Sequence, residues 1–463
     1  MILQYMGFAQ NSIKKKYTLK DCIKIALENN LDVKSSVISA KTANINYTQS
    51  KANILPTLNG SYNIGVNNGR SIDPFTNDFI NQELTFSNAR LHLDATLFNG
   101  FRLLNTIRQQ RLNNQASKLE IEESKQALTL NVTLAYLQVL NSKDVLELAK
   151  NRLRTTIDQL KRQETLYKQE SGNPADFADI QGQKAIDETN ILTAESSLKS
   201  AELDLIRLLN ITDPISMDVT DVLLDFEMYQ YSADDVFQDA LKNLATFKAK
   251  TMRVEAAKKG VHLTRAQYIP EISFFGRLNT NYSSVAETFT DIGATIQDTG
   301  EFVTIDSQQI PVQTNQTLFE GTNIKYLDQL DNNLNTVVGI SVDIPLFNSF
   351  RAKNNVSLEK IKVEESLIAL TRVEQEIRNA ISQVHFDMNV TYNRCNSLQK
   401  QVEAFKESFR VNEIRFHNGV SNFLAYITSK NNLDTALTNL INAKYKYALQ
   451  VRILEFYRGT TSM

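Results

Sequence analysis

The side chains that most often carry chemistry are few in this sequence and far apart. Only two cysteines occur, Cys22 and Cys395, so neither a zinc cluster nor a disulfide framework is expected. A glycine-rich phosphate loop, a nucleophile elbow and an HExxH motif are all absent from the sequence. We therefore expect no catalytic, metal-binding or cofactor-binding residue, and the chain is not predicted to be an enzyme. The four histidines do not occur at the spacing of a metal site: His92, His262, His385 and His417.

The charge and hydropathy of the chain limit its partners. Its 463 residues carry 50 basic and 52 acidic side chains, for a formal net charge of −2, and the basic residues form no block. Nucleic-acid binding depends on Lys and Arg concentrated on one face, so no nucleic-acid partner is expected. The sequence contains no apolar run of the roughly 18 to 20 residues that a membrane-spanning helix requires. Residues 1–16, which begin "MILQYMGFAQ", are interpreted either as a disordered tail or as a signal-peptide remnant.

Two stretches without Gly or Pro predict very long helices, from Arg102 to Glu170 and from Ala352 to Asn418. Each could form a helix of roughly 65 residues, or about 100 Å at 1.5 Å per residue. On these helices alone, a soluble coiled-coil rod is the favoured interpretation. The second stretch contains an apolar seam with spacing that alternates between four and three, which is typical of a coiled coil: Ile377, Ile381, Val384, Met388, Thr391, Cys395, Leu398, Val402, Phe405, Phe409, Asn412 and Phe416.

Four shorter segments predict β-strands with one apolar and one polar face. Apolar and polar residues alternate over about ten residues in each segment, as in a strand that separates two environments. The segments lie around residues 58–66, 91–97, 272–278 and 338–346. They form two hairpins inserted between long helices, with long polar loops at 67–88 and roughly 283–333. Short turns at one end and long loops at the other are typical of outer-membrane barrels.

A barrel cannot be closed by four strands alone. Open edges would leave backbone groups unpaired in hydrocarbon, at a cost of several kcal/mol for each group. Eight strands form a barrel whose interior is filled by side chains. We therefore expect a trimer, in which four strands from each of three chains give 12 strands around a central space.

The chain also repeats itself. The segment "DATLFNGFR" (94–102) returns as "DIPLFNSFR" (343–351), with six of nine positions identical. Earlier in each copy, "ALENN" (26–30) matches "ALKNL" (240–244). A repeat of this length predicts two copies of one supersecondary unit. The predicted organisation is a tail at 1–16, a first repeat at 17–211, a spacer at 212–232, a second repeat at 233–459 and a short tail at 460–463.

Together these features resemble the TolC family of outer-membrane efflux channels, the outer membrane factors of tripartite export systems. The resemblance covers about 17–459 and implies a mainly α fold with a transmembrane β-barrel. In a homotrimer, four strands per chain would complete a 12-stranded barrel in the outer membrane lipid, and long coiled-coil helices would form a periplasmic tunnel. It implies a passive export channel of the cell outer membrane. Such a channel docks to a periplasmic adaptor (membrane fusion protein) and an inner-membrane pump, for drug efflux or type I secretion.

The resemblance also assigns roles to individual positions. Strand–helix junctions are expected at Pro56, Phe98, Asn99, Gly100, Pro270, Phe347, Asn348 and Ser349. The helix turns are expected to contact the adaptor through Gly172, Asn173, Pro174, Gly419, Val420 and Ser421. The pore constriction at the periplasmic tip is expected to include Asp176, Asp179, Asn422, Tyr426 and Thr428.

Two alternatives stay open at this point. A coiled-coil scaffold explains the long helices but gives the alternating strands no purpose, and for an enzyme or ligand-binding protein no site is visible. Asp176 and Asp179 form either an acidic ring that attracts cations or an ordinary pair of carboxylates near a helix N-terminus, where the helix dipole favours negative charge.

Overall fold

The computed structural model of the chain describes residues 16–72, 77–81, 83–169, 173–211, 216–217 and 226–460. The first 15 residues of the predicted tail at 1–16, most of the spacer at 212–232 and the last three residues lie outside this range. The described residues form two compact units. Among the described residues, one unit comprises those within 16–47, 109–258 and 360–460, and the other comprises those within 48–108 and 259–359.

Helices dominate the described residues. None of them contains an apolar stretch long enough to cross a bilayer. The helices are α1 (Leu19–Asn29), α2 (Leu31–Ala52), α3 (Arg102–Lys168), α4 (Pro174–Leu209), α5 (Ala233–Asn243), α6 (Ala245–Arg265), α7 (Tyr326–Asn332), α8 (Arg351–His417) and α9 (Phe423–Arg458).

The strands are shorter, and most of them are antiparallel. They are β1 (Lys16–Tyr17), β2 (Thr57–Asn67), β3 (Arg70–Ile72), β4 (Phe79–Asn81), β5 (Leu84–Phe98), β6 (Ser216–Met217), β7 (Glu271–Ser283), β8 (Glu287–Ile305), β9 (Gln308–Asn323) and β10 (Asn335–Asp343).

The internal repeat is visible in the helix boundaries. α3 and α8 begin and end 249 residues apart, and the same offset separates both ends of α4 and α9. α1 and α5 are offset by 214 residues, and each begins with a capping box in which a hydroxyl residue and an aspartate bond each other's backbone N–H. These boxes are Thr18 with Asp21 and Ser232 with Asp235. The predicted two-fold repeat is therefore confirmed.

Each repeat has its own apolar core in the helical unit. The first core packs Cys22 and Ala26 of α1 with Tyr136 of α3 and Leu205 of α4. The second packs Phe237 of α5 with the predicted seam of α8 and with Tyr447 of α9, as the four-three spacing indicates. Burial raises the pKa of the Cys22 thiol to about 12, which keeps it protonated and unreactive. The seam residues buried in the second core are Ile377, Ile381, Met388, Cys395 and Leu398.

The four predicted strands form one antiparallel sheet in the order β10-β7-β5-β2. Each predicted hairpin is present, because β2 pairs with β5 and β7 with β10, and β5 joins the two hairpins by pairing with β7. The register places most apolar residues of the four strands on one face, where Leu91 pairs with Leu278 and Ile340 with Phe274. The opposite face is mainly polar and includes Arg90, although Phe275 and Val337 also lie on it.

The long loop predicted at about 283–333 is not a simple polar loop. It contains β8 and β9, of 19 and 16 residues, which form an exposed antiparallel hairpin with a tight turn at Asp306 and Ser307. The alternation rule missed these strands because both of their faces mix apolar and polar residues. We name residues 287–323 the acidic arm, since the segment has no Lys, Arg or His and has six acidic side chains: Glu287, Asp291, Asp298, Glu301, Asp306 and Glu320.

The two strand-to-helix joints share an unusual backbone conformation. Gly100 and Phe101 have φ angles of 64° and 64°, and Ser349 and Phe350 have φ angles of 55° and 60°. At each joint, two successive residues with a left-handed backbone therefore lie directly before the helix and redirect the chain into it. This conformation costs a residue with a side chain roughly 1–2 kcal/mol, so the surrounding contacts must hold it in place.

Matching contacts surround the two joints. In each, the N–H of the first helical arginine donates to the asparagine carbonyl at 3.1 Å, and two phenylalanine rings meet edge to face. Pro56 and Pro270 stand immediately before β2 and β7. The joint residues of the first repeat are Phe98, Asn99, Phe101 and Arg102, and those of the second are Phe347, Asn348, Phe350 and Arg351.

The joints give a matched pair of substitutions. Gly100→Ala is expected to lower the thermal midpoint of the protein in detergent, because the backbone is left-handed and a Cβ there would lie 2.8 Å from Cβ of Ile269. The backbone penalty alone is roughly 1–2 kcal/mol. Ser349→Gly removes a side chain from the equivalent position and is expected to leave the midpoint unchanged or raise it. If both variants lowered the thermal midpoint equally, the left-handed backbone would not explain the preference for glycine at this position.

Candidate functional site

The turn between α8 and α9 is fixed by backbone hydrogen bonds. Gly419 has a φ of 70°, its N–H donates to the Phe416 carbonyl at 3.1 Å, and the Val420 N–H donates to the Arg415 carbonyl at 2.8 Å. This is a Schellman motif, which satisfies the last carbonyl groups of a helix. Asn422 then caps α9 by accepting a hydrogen bond from the Ala425 N–H at 3.0 Å. Of the predicted adaptor contacts here, Gly419 and Val420 are exposed and Ser421 is half-buried.

The turn between α3 and α4 is built differently. Asn173 caps α4 by accepting a hydrogen bond from the Ala175 N–H at 3.1 Å, and Pro174 occupies the first helical position, where a missing N–H costs nothing. Both residues are exposed. Gly172, the remaining predicted adaptor contact, lies outside the described residues.

An aromatic cluster joins the ends of the four long helices. Tyr426 of α9 stacks on Phe416 of α8 at 5.0 Å between ring centroids, and it also contacts Phe409 and Phe423. Each such aromatic pair contributes roughly 0.5–1.5 kcal/mol beyond its buried area. The cluster, defined by its members, takes residues from all four helices: Leu160, Ile180, Phe409, Phe416, Phe423, Tyr426 and Ile427.

The burial of Tyr426 corrects one prediction. Its side chain is only 1% exposed, so it packs inside the chain and does not line a pore in this conformation. Burial raises the pKa of its phenol, which therefore stays neutral. The prediction failed because it followed the position of Tyr426 near the turn. Tyr426 lies three residues after the buried Phe423, on the same helix face, and this spacing would have indicated core packing.

The other predicted constriction residues reach solvent. Asp179, Asn422 and Thr428 are exposed, and Asp176 is half-buried in the first turn of α4. Burial, and then the negative charge of Asp179, raises the pKa of the Asp176 carboxyl. Two like charges three residues apart repel each other, and the helix dipole only partly offsets that repulsion.

A buried charge cluster, which the sequence analysis missed, lies between α3, α4 and α9. We define it as Arg152, Asp187, Lys430 and Asp434. The Lys430 ammonium is 3.1 Å from the Asp434 carboxylate and 3.5 Å from that of Asp187, and both Lys430 and Asp187 are 3% exposed. Arg152 forms an ion pair with Asp434 at 3.3 Å. Because two cations face two anions, the cluster is electrically balanced.

Neutral donors complete the buried charge cluster. The Thr156 hydroxyl donates to Asp187 at 2.5 Å, and the Gln183 amide donates to its other carboxylate oxygen at 2.8 Å. Burial lowers the pKa of Arg152, while the carboxylates of Asp434 and Asp187 oppose this shift. The cluster therefore ties three helices together with hydrogen bonds and charge.

One sequence signal could have revealed the buried charge cluster. The apolar seam of α9 runs through Leu433, Leu437 and Leu440, and stepping back three residues from Leu433 leads to Lys430. A charged residue in a seam position predicts a buried partner, because an unpaired buried charge is strongly unfavourable. Among the described residues, no group of three or more His, Cys, Asp or Glu side chains is placed to hold a metal ion.

Comparison with known proteins links this arrangement to one family. The family described as "Outer membrane efflux protein" matches residues 22–210 and 236–460. "Toxin and drug export protein A" of Aggregatibacter actinomycetemcomitans is 21% identical over 440 residues, which is 93% of this chain and 84% of that protein.

Solved structures share the fold at low sequence identity. The structure of CusC, described in terms of folding and transmembrane channel formation, matches with a TM-score of 0.75 and 17% identity over 99% of this chain and 96% of that one. The outer membrane protein VceC of Vibrio cholerae matches with a TM-score of 0.73 and 13% identity over 95% and 96% of the two chains.

The buried charge cluster predicts a large effect of one substitution. Lys430→Met leaves Asp187 buried without its cation, and removal of one partner from a buried ion pair costs roughly 3–5 kcal/mol. The thermal midpoint of helix unfolding, measured by circular dichroism in detergent, is expected to fall accordingly. Lys446→Met, which changes an exposed lysine of the same helix, is the control and is expected to have little effect.

A double variant checks the cause of that effect. Adding Asp187→Leu to Lys430→Met removes the stranded charge, so the double variant is expected to lose less stability than the two single losses added together. Simple additivity of the two single losses would contradict the assigned ion pair.

Proposed function

Because the chain belongs to the outer membrane efflux protein family, we propose that three copies of it form one export channel with a 12-stranded barrel. The chain is an outer-membrane efflux channel with a periplasmic portion, and it is not an enzyme.

The observation that carries this proposal is the incomplete sheet with one apolar face. Tyr62, Ile64, Val338 and Ile340 stand exposed on that face, although they are large and apolar, and Ile340 is 65% exposed. Lipid is the solvent that suits such a face. β2 and β10 stand at the two edges of the sheet, so pairing β2 of one copy with β10 of the next satisfies both edges.

The number of copies follows from the number of strands. Two copies would give eight strands, a barrel that side chains fill, and three copies give 12 strands around an open space. The polar face, with Arg90, His92, Asp94 and Arg277, then lines a water-filled interior.

The helix turns are the proposed contact surface for a periplasmic adaptor, which in turn connects the channel to an inner-membrane pump. Exposed Asn173, Pro174, Gly419 and Val420, together with Ser421 and Gly172, are the proposed contacts. The similarity to a protein named for toxin and drug export supports drugs or secreted toxins as the cargo, which corresponds to drug efflux or type I secretion.

Asp176, Asp179, Asn422 and Thr428 are the proposed lining of the constriction. Their exposure near the ends of the helices supports this assignment. In a trimer, the two carboxylates would be repeated three times around the axis, and such a ring attracts cations. The channel performs no chemistry, so its selectivity depends on these charges and on the width of the opening.

The assembly is tested by particle mass. In mild detergent, after correction for bound detergent, the protein mass is expected to be three times 52.5 kDa. In plain buffer, the exposed apolar face is expected to cause aggregation. A soluble monomer or dimer in plain buffer would contradict the barrel and favour a coiled-coil scaffold.

The constriction is tested by conductance in planar bilayers. Asp176→Asn with Asp179→Asn is expected to reduce the preference for cations, because it removes the proposed ring of charge. In the unmodified protein, this preference is expected to weaken as the pH falls. The loss should begin above the ordinary pKa of an aspartate, since the pKa of Asp176 is raised. Unchanged conductance and cation preference in the double variant would reject the ring.

A further inference from the structure

One short helix lies on the apolar face of the four-stranded sheet. α7 (Tyr326–Asn332) follows the acidic arm and precedes β10. Thr280, which shares the apolar face of β7 with Leu278, donates a hydrogen bond to the Leu330 carbonyl at 2.6 Å. The end of the sheet that α7 covers is the one farthest from the joints, where β7 ends at Ser283.

Gln329 holds this helix in place. Its side chain is buried, and its amide oxygen accepts a hydrogen bond from the Ser283 N–H at 2.9 Å. Its amide nitrogen donates to the carbonyls of Ser283 at 2.9 Å and Ile324 at 2.8 Å. The Asn333 amide adds a bond to the Asn281 carbonyl at 2.9 Å. α7 is therefore a fixed part of the sheet surface.

Three tyrosines meet where α7 begins, and Tyr326 is the first residue of the helix itself. The hydroxyl groups of Tyr62 and Tyr326 are 3.0 Å apart, and the Tyr326 hydroxyl is also 3.1 Å from that of Ser87. The rings of Tyr282 and Tyr326 lie 4.8 Å apart. Tyr62, Ser87 and Tyr282 all belong to the apolar face, and they lie at the end of it. Tyrosines in this position are typical of the boundary between hydrocarbon and water.

The height of the apolar face agrees with this boundary. From Ile272 to Tyr282, β7 advances ten residues, which is roughly 34 Å of strand at about 3.4 Å per residue. Strands of such barrels tilt by about 40°, so this length spans roughly 26 Å of bilayer, close to the usual apolar band of about 25 Å. If Ile272 marks the inner border, the three tyrosines and α7 lie at the outer border.

α7 and the residues directly after it expose leucines beside acidic side chains. Leu327 is 74% exposed, and Leu334, which lies two residues beyond the end of α7, is also exposed. Asp328 and Asp331, which are three residues apart, are exposed as well. Exposed leucines beside acidic side chains, at the end of the apolar face, fit the boundary between acyl chains and headgroups, because apolar and charged groups both find a suitable environment there.

We infer that α7 is an interfacial helix that anchors the outer end of the barrel at the lipid surface. Leu327 and Leu334 then contact the acyl chains next to the headgroups. This inference rests on the proposed barrel. Lipid is the chosen occupant because the exposed leucines continue the apolar face that lipid covers. A neighbouring copy would pair with the edge strands of the sheet. α7 is instead bonded mainly to β7, which is an interior strand. The acidic arm then lies outside the hydrocarbon.

The absence of tryptophan from the chain makes a direct test straightforward. Three single-tryptophan variants are reconstituted into phosphatidylcholine vesicles whose acyl chains are brominated either near the headgroup or near the middle of the bilayer. Leu327→Trp reports on α7, Ile340→Trp on the middle of the apolar face and Phe302→Trp on the acidic arm. All three replaced side chains are exposed, so the fold is expected to tolerate each change.

The expected pattern differs for each variant. The Trp fluorescence of Leu327→Trp should lose most of its intensity with bromine near the headgroup and less with bromine near the bilayer centre. Ile340→Trp should show the reverse order, and Phe302→Trp should be unaffected by either lipid. Adding Gln329→Leu to Leu327→Trp removes the bonds that fix α7 and should reduce the quenching by lipid.

Each contrary result has a distinct meaning. If Leu327→Trp escapes quenching while Ile340→Trp is quenched, another copy or water covers α7, and the inference fails while the barrel stands. If Phe302→Trp is quenched as strongly as Leu327→Trp, α7 does not mark the border, and the inference also fails. If Ile340→Trp itself escapes quenching, the sheet does not face lipid, and the proposed barrel fails.

Discussion

Backbone N–H and C=O groups cannot enter hydrocarbon unpaired, and this requirement governs the architecture of the chain. β5 and β7 satisfy it within one copy, because each is paired on both sides, but β2 and β10 stand at the edges. The apolar face of the sheet can therefore enter lipid only when another strand pairs with each edge. The long helices need no partner for their backbone groups, since an α-helix pairs its backbone internally and leaves only its ends to be capped.

Two solutions to backbone pairing must therefore meet within one chain, and the joints are where they do. Each joint uses two successive left-handed residues to turn a strand into a helix. The second repeat performs this turn with Ser349 where the first has Gly100, so what the two copies share is the backbone conformation. At the other ends of the long helices, capping asparagines, the aromatic cluster and the buried charge cluster fix the turns.

Much of this could be predicted from the sequence, because local patterns determine it. Stretches without Gly or Pro predicted the ends of the long helices to within two residues. The alternation of apolar and polar residues predicted the four strands of the sheet. The strands of the acidic arm were missed because their two faces are equally mixed, so burial imposes no period on them. The buried charge cluster was missed because its partners come from three helices, and a sequence does not show which faces meet. Tyr426 was misplaced for a related reason, since nearness to a turn says nothing about which face of a helix is buried.

The composition of the acidic arm has a consequence for mapping which parts of the protein face the cell exterior. No Lys or Arg occurs between Arg277 and Lys325, so trypsin has no cleavage site within the arm, however exposed the arm is. Survival of this segment in trypsin-treated cells would therefore carry no information about burial. Proteases that cut after aromatic residues can act at Phe302 and Phe319, which are both exposed, and cleavage there reports whether the arm reaches the surrounding medium.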